Sequence, residues 1–356
     1  MSLILQNDRR NVLFWDMTIQ GISRKRDVSS AAPLKMKKLL TQLQKYRVAN
    51  FRKPEFLTYD INNKKLSIVL QALSIQNNKA SILFCVMDDN AAKQTYLNTE
   101  TRRRRVSEKS IEEKAEYAVH MVISLNSIDD MPNSYSCIVE DCPAVSITLI
   151  MRAFNALLRK TAMEYPSQFL QPHPDGVVEN GQPEMMKTYS KVSIEGHPAD
   201  DFLDSITNGK ISGLVAISSY DIDRSMDSTG TITPVSRELK FSVSRTIIGH
   251  DNLGYYERVK HYAFTNECPV LRVKFTDSNN QSYSIDINSE TGNMINERKF
   301  IKKLTLIDFT YELTTSIGTI NLEIREKMFN ALDSLNEQEP QIDMDDVIQI
   351  GQEITA

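Results

Sequence analysis

The chain is poor in glycine, with 12 in 356 residues, and it contains no glycine-rich phosphate loop. NTPase and dinucleotide-binding sites need such a loop, because their backbone approaches phosphate too closely for a side chain, so these classes are excluded. The four cysteines include no CxxC pair, and the five histidines show no paired spacing. We therefore predict no metal, no cofactor and no disulfide framework. No apolar run reaches the length of a signal peptide or a membrane span, which predicts a soluble, cytoplasmic protein.

Charge is distributed unevenly along the chain, although the net charge is only −4. Residues 1–163 contain 25 Lys and Arg against 16 Asp and Glu, whereas residues 164–356 contain 17 against 30. An excess of positive charge in one half is typical of a surface that faces a polyanion. The alternative is a solvated surface whose two halves attract each other.

Hydrophobic periodicity predicts single helices among strands in residues 1–163. We expect strands at 12–19, 66–74, 81–87 and 118–125, of which the middle two form a hairpin. Two stretches have apolar residues at helical spacing, and these residues are Met36, Leu39, Leu40 and Leu43, then Ile147, Ile150, Met151, Phe154, Leu157 and Leu158. Proline near the start of each stretch (Pro33, Pro143) is typical of the first turn of a helix.

Residues 164–190 contain four prolines and show no periodicity, so we predict a linker there. Beyond it, we expect strands at 191–194, 211–218, 239–243, 270–276, 283–287 and 307–313, and helices at 199–208, 253–264 and 320–332. The prediction is an α+β protein with two mixed domains, a basic one at 1–163 and an acidic one at 191–335, built from largely antiparallel sheets with single packed helices.

The sharpest local feature is a run of four arginines, Arg102, Arg103, Arg104 and Arg105, in a polar stretch. Guanidinium groups make charge-assisted, often bidentate contacts with phosphate, which favours a nucleic-acid backbone as the ligand. Four glutamates follow closely and could neutralise part of the run, namely Glu108, Glu112, Glu113 and Glu116.

Further basic residues could extend this surface. They are Arg24, Lys25 and Arg26 in a loop, and Lys37, Lys38 and Lys45 on the polar face of the first helix. The hypothesis depends on these side chains forming one continuous strip that is open to solvent. No helix-turn-helix, zinc-finger or RNP signature accompanies them, so we expect contacts to the backbone with little sequence specificity.

An alternative is a metal-dependent nuclease, in which an acidic residue and a Glu-x-Lys segment on adjacent strands hold Mg²⁺ and position water. Here Asp221 or Asp223 precedes Glu238-Leu239-Lys240. A third possibility is a protein-interaction module without any role in nucleic-acid binding.

Other polar features have structural explanations. His120 lies in an apolar strand, which favours a hydrogen-bonded structural role, and Cys137 and Cys142 are expected to be buried thiols. Residues 336–356 carry six acidic residues and no basic ones, which is typical of a disordered terminus. A sharper hypothesis is that this acidic tail competes with nucleic acid for the basic surface.

The order of these parts resembles the phage-exclusion proteins related to the lambdoid Rex A component. The similarity involves the acidic run at 112–116 leading into Val119-His120-Met121-Val122, then Phe202-Leu203-Asp204-Ser205, and a late strand and closing helix at 307–332. The resemblance implies a DNA-binding sensor or effector of abortive infection that is often a homodimer. Together with the charge pattern, it leads us to predict a protein that binds nucleic acid, with duplex DNA the expected form.

Overall fold

The computed structural model describes residues 5–24, 28, 31–61, 63, 65–110, 112–129, 131–179, 181–219, 236–241, 252–277, 280–295 and 298–338. Within them, the helices are α1 (Met36–Asn50), α2 (Pro54–Leu57), α3 (Ile147–Glu164), α4 (Asp200–Asn208), α5 (Asn252–Thr265) and α6 (Leu322–Gln338). The strands up to residue 140 are β1 (Arg10–Ser23), β2 (Thr58–Ile61), β3 (Leu66–Gln76), β4 (Lys79–Asp88), β5 (Thr95–Leu97), β6 (Arg104–Val106), β7 (Ala115–Ser124) and β8 (Ser134–Glu140). The later strands are β9 (Leu170–Pro172), β10 (Val178–Glu179), β11 (Gln182–Pro183), β12 (Met185–Gly196), β13 (Lys210–Ser219), β14 (Ser236–Phe241), β15 (Val270–Thr276), β16 (Ser282–Asn288) and β17 (Lys303–Leu306).

A nine-stranded sheet forms the centre of the molecule, in the order β2-β3-β4-β7-β8-β1-β12-β9, with β17 also paired to β1. All the registered pairs are antiparallel, so the α+β prediction is confirmed. Strand β1 pairs with β8 along one side and with β17 and then β12 along the other. Its apolar run is buried on both faces, which explains why hydrophobic residues fill consecutive positions there.

The two faces of this sheet are covered by different elements. Helices α1 and α3 pack on one face, against the side chains of Leu13, Trp15 and Met17. Helix α6 packs on the other, against Val12 and Phe14. Because successive strand residues point to opposite faces, β1 supplies both cores. Helix α3 begins after Ser146, whose Oγ accepts a hydrogen bond from the Leu149 backbone N–H at 3.3 Å, a few residues later than Asp141 and Pro143 suggested.

A second, four-stranded sheet has the order β14-β13-β15-β16 and carries α4 and α5. Aromatic rings fill the space beneath it, with Phe202 of α4 at 5.9 Å from Phe275 and 5.8 Å from Phe300 between ring centroids. Edge-to-face contacts of this kind add to the burial of the rings themselves. The predicted helices and hairpin in this part of the chain are therefore present.

The stretch at 164–190, expected to be an irregular linker, contains a 3₁₀ turn (Pro166–Phe169), the short strands β9, β10 and β11, and the first residues of β12. Strand β12 crosses the end of that stretch and pairs with β1, from Trp15↔Gly196 to Ser23↔Thr188. One sheet therefore contains strands from both sides of the expected boundary. The main-chain bonds that join the two sheets, such as Gly196 N–H to the Met294 carbonyl at 2.8 Å, also lie next to β12.

The strand predicted at 307–313 is wrong. Strand β17 ends at Leu306, opposite Arg10, the first residue of β1, so the sheet provides no partner beyond it. Asp308 has a φ of 59°, a left-handed conformation that an extended strand cannot contain. The stretch from 307 to 321 instead runs irregularly across the α6 face, where Leu313 is buried and Tyr311 is 47% exposed.

Candidate nucleic-acid interface

The four arginines lie on a small hairpin of their own. Strands β5 and β6 form a two-stranded antiparallel ribbon, with Thr95 opposite Val106 and Leu97 opposite Arg104. The ribbon is inserted between β4 and β7, whose paired ends are Asp88 and Ala115, so it emerges from one end of the central sheet. We call residues 95–106 the arginine ribbon. All of its residues are exposed.

Local hydrogen bonds close the turn of the arginine ribbon. The Oδ1 atom of Asn98 accepts hydrogen bonds from the backbone N–H groups of Glu100 (3.0 Å) and Thr101 (2.7 Å), and the Asn98 N–H donates to the Arg103 carbonyl at 2.9 Å. Asparagine is favoured in such turns because its side chain replaces a backbone acceptor. The conformation of the ribbon is thus set by its own sequence.

The guanidinium groups of the ribbon are not neutralised by the glutamates that follow them. Among the described residues, none of the four arginines has a carboxylate within ion-pair distance. Glu108 pairs with Lys93 at 3.1 Å, and Glu113 accepts the Ser110 backbone N–H at 2.7 Å. The guanidinium of Arg105 lies 5.2 Å from the centroid of the Tyr96 ring. The positive charge of the ribbon is therefore available to a solvent ligand, beside an exposed aromatic ring.

The other predicted basic residues lie elsewhere. Lys37, Lys38 and Lys45 are exposed on α1, whose opposite face packs in the core. Arg24 is exposed just after β1, whereas Lys25 and Arg26 lie outside the described residues. Arg24 lies near the start of α1, because the Ala31 backbone N–H donates to the Gly21 carbonyl near the end of β1. Lys35 Nζ, just before α1, donates to the Pro132 carbonyl in the β7–β8 connection.

The structure therefore separates the predicted strip into two clusters. The α1 cluster (Arg24, Lys37, Lys38 and Lys45) extends from the end of the sheet at which β7 meets β8 through the 125–133 connection. The arginine ribbon leaves the opposite end, where β7 begins. Ten strand residues at about 3.3 Å each separate these ends by roughly 33 Å. A sequence shows that both clusters are basic, but only the strand register shows that they are far apart.

Glu238 and Lys240 of the nuclease alternative lie on β14, at the edge of the second sheet. Lys240 Nζ is 3.8 Å from Glu238 Oε2, and both side chains are substantially exposed. Asp221 and Asp223 lie outside the described residues. In the part of the chain that the structure describes, no group of three or more His, Cys, Asp or Glu side chains is arranged to hold a metal ion. The Glu-x-Lys segment therefore forms a surface pair at a sheet edge.

A buried polar network, which sequence reasoning missed apart from His120, lies beneath the α6 face. Arg10 Nε is 3.1 Å from Glu140 Oε1, and Glu140 Oε2 accepts hydrogen bonds from His120 Nδ1 (2.6 Å) and its backbone N–H (2.8 Å). On the other side of the ring, the Asn321 backbone N–H donates to His120 Nε2 at 3.1 Å. The predicted structural role of His120 is confirmed. Burial alone would raise the pKa of Glu140, but His120 and Arg10 outweigh it and hold that pKa below its ordinary value.

Two acidic residues, Asp16 and Glu195, lie together where the two sheets meet. Asp16 and Glu195 are direct partners across β1 and β12, and Asp16 Oδ2 is 3.2 Å from His197 Nδ1. Glu195 accepts hydrogen bonds from Asn288 Nδ2 (2.8 Å) and Thr291 Oγ1 (3.1 Å). Burial is the main cause that raises the pKa of Glu195. These contacts tie the loop after β16 to the central sheet.

The cysteines are all free and buried, which confirms the prediction for Cys137 and Cys142. Burial raises the pKa of the Cys142 thiol to about 11 and that of Cys85 to about 12. A thiol with so high a pKa is a poor nucleophile.

Comparisons with known proteins identify no relative. No family model, curated protein or solved structure matches the chain. Within the described residues, no helix combines the length and apolar composition needed to cross a bilayer.

Proposed function

We propose that this protein binds nucleic acid, with duplex DNA the expected form, and that the arginine ribbon makes the main contact. The observation that carries the proposal is the exposure of four adjacent arginines on a separate two-stranded ribbon, with no carboxylate paired to them among the described residues. Four unpaired cations on one small element repel each other, and a phosphate backbone relieves that repulsion.

The shape of the ribbon supports the same ligand. A two-stranded β-ribbon is one of the two elements that the major groove of B-DNA admits. Arginine contacts phosphate bidentately, and Tyr96 beside Arg105 offers a flat surface for stacking. Most of these contacts are to phosphate, so binding is expected to depend little on sequence and strongly on salt.

The test is a salt series of binding measurements, by fluorescence anisotropy, on two unrelated duplexes and one single strand. Replacing Arg102, Arg103, Arg104 and Arg105 together by alanine should weaken binding to both duplexes equally. The slope of log K against log salt should fall in magnitude by about 3 to 4, at roughly 0.9 per lost phosphate contact. The ribbon packs little against the core, so the melting temperature of the variant should be unchanged.

The α1 cluster provides the matched control. Replacing Lys37, Lys38 and Lys45 by alanine removes three exposed charges from α1. This helix begins at the opposite end of the sheet from the ribbon and reaches the middle of β3, where Gln44 Nε2 donates to the Leu73 carbonyl at 3.4 Å. This variant should retain most of the affinity and most of the salt slope. Equal losses in the two variants, or an unchanged slope in the arginine variant, would refute the ribbon as the main contact.

The biological setting is also a proposal. We propose that the protein acts in the cytoplasm as a homodimer in defence against phage, on the strength of the resemblance to the Rex A group. Light scattering should then give a mass of twice the 40.6 kDa chain. A mass of one chain at micromolar concentration would remove the dimer from the proposal.

A further inference from the structure

A cleft of about 680 Å³ opens beside the start of β1, separate from the arginine ribbon. Three segments surround it: the chain from Leu5 into β1, the turn between β8 and α3, and the stretch from Arg298 to Thr305 that enters and forms β17. The size is within the range of small-molecule sites in proteins, which run from about 300 to 1,000 Å³.

Part of the cleft lining is apolar. Its apolar residues are Leu5, Leu13, Pro143 and Ile301. The polar pair there is satisfied internally, because Thr305 Oγ1 donates to Asn11 Oδ1 at 2.8 Å. Such a surface can hold the flat or aliphatic body of a ligand without leaving its own polar groups unpaired.

Cationic side chains line the same cleft. Lys303 faces Leu13 across β17 and β1, and among the described residues it has no carboxylate within ion-pair distance. Arg9 forms a bidentate pair with Asp8, and Arg298 pairs with Asp141, but the arginine side chains are about half exposed. The Arg9–Asp8 pair is exposed on both sides, and such pairs contribute at most about 1 kcal/mol, so a phosphate dianion can displace Asp8. Asp141 is only 18% exposed and competes more strongly with a phosphate for Arg298.

One neighbouring cation, Arg10, differs from these three because it is buried and fully hydrogen-bonded. Arg10 also borders the cleft, but its guanidinium is buried and fully engaged by Glu140 and by the carbonyls of Arg9, Gln6 and Thr314. Arg10 therefore has a structural role. Arg9, Arg298 and Lys303 line the cleft with partly exposed side chains, and none of them is enclosed as Arg10 is.

We propose that this cleft binds a small organic phosphate about the size of a mononucleotide. Its phosphate would lie between Lys303, Arg9 and Arg298, and its body would lie on Leu13, Ile301 and Pro143. The combination of an apolar surface with cations at one side is what distinguishes this cleft from a general basic surface, which offers charge without a place for an apolar body.

The experiment is isothermal titration of the full chain with adenosine 5′-monophosphate, with adenosine and inorganic phosphate as partial ligands. The nucleotide should bind more tightly than either part. Lys303→Gln should lower its affinity about tenfold, as expected for loss of one charge-assisted contact. Lys302→Gln is the matched control, because Lys302 precedes Lys303 in the chain, is similarly half-buried, and does not line the cleft.

A variant that is expected to bind the nucleotide more tightly provides a second test. Asp141→Asn removes the carboxylate that competes for Arg298, so it should tighten nucleotide binding several-fold. Competition with duplexes that carry or lack a 5′-phosphate then distinguishes a free nucleotide from a nucleic-acid end as the source of the phosphate. If a nucleic-acid end is the source, only the 5′-phosphorylated duplex should displace the bound nucleotide. No measurable binding at millimolar nucleotide, equal binding of adenosine, or equal effects of Lys303→Gln and Lys302→Gln would overturn the proposal.

Discussion

Replacing Glu140 by glutamine should destabilise the protein strongly, because it leaves the buried guanidinium of Arg10 without its counter-charge. Both side chains are at most 5% exposed, and their ion pair is supplemented by two hydrogen bonds from His120 to the same carboxylate. Glutamine keeps the shape of the side chain and one acceptor oxygen. The change therefore isolates the loss of the charge from the loss of packing.

The magnitude follows from the burial of the pair. Removing one partner of a buried ion pair typically costs about 3–5 kcal/mol, because the other charge remains desolvated. With a urea m-value of about 3 kcal/mol/M, that loss lowers the urea midpoint by about 1 to 1.7 M. Glu326→Gln is the control, since Glu326 pairs with Arg325 at 2.7 Å but is more than half exposed, and exposed pairs are worth about 0–1 kcal/mol.

The pH dependence gives a second readout of the same network. Because the native pKa of Glu140 lies below its ordinary value of 4.5, ionised Glu140 stabilises the native state fully above that value. Its contribution is lost as the pH falls from 4.5 through the lower native pKa. Glu140→Gln should lack this part of the acid dependence of the urea midpoint. A variant that unfolds at the same midpoint as the Glu326→Gln control, or that keeps the full acid dependence, would refute the reasoning.

Three further predictions concern other parts of the chain. Gly21→Ala should cost about 1–3 kcal/mol of unfolding free energy, since a Cβ there would lie 2.3 Å from the Ala31 carbonyl oxygen. Gly318→Ala is the control, because a Cβ there meets no atom within 4 Å, and urea unfolding curves of the two variants would check the difference. Iodoacetamide at pH 8 should label none of the four buried cysteines of the native protein, including Cys142 with its thiol pKa of about 11, and mass spectrometry before and after urea would reveal any exception. Deleting 339–356 removes five carboxylates and should tighten duplex binding about threefold at low salt, an effect that equal anisotropy titrations would contradict.

Local periodicity was enough to predict most elements of the fold. The hairpin β3–β4 and the apolar face of α3 were predictable because one buried face imposes a period of 2 or 3.6 on the sequence. The same rule failed at 307–313, where apolar residues alternate by chance along a segment without a partner strand. Alternation is therefore evidence for a strand only when a neighbouring strand can supply hydrogen bonds, which the sequence of one segment cannot show.

The candidate sites also differ in whether their residues are close together in the sequence. The arginine ribbon could be predicted because its four guanidiniums are adjacent in the chain and its turn is closed by Asn98 within it. The network of Arg10, Glu140 and His120 combines positions more than a hundred residues apart, and the cleft near Lys303 combines three segments. The available signal for the network was a charged residue at the end of each of two buried strands, which indicates burial with a partner but does not identify the partner.

The strand register shows which of the basic features lie at the same end of the central sheet. Strand β7 begins, β8 ends, β1 begins and β17 ends at the same end of the central sheet, so the arginine ribbon and the cleft share that end. The ribbon emerges between β4 and β7, and the cleft lies beside β1, so β7 and β8 lie between them, or roughly 10 Å at about 4.8 Å per strand. Met121 and Leu13 both pair with Val139, so Ala115 lies six residues, or roughly 20 Å, further along the strands than Leu13. Helix α6 runs the other way, from Asn321 beside His120 towards Asp333, which pairs with Lys79 at the opposite end. The described end of α6 therefore lies near the end of the sheet at which the α1 cluster begins, whereas the arginine ribbon and the cleft lie towards the other end.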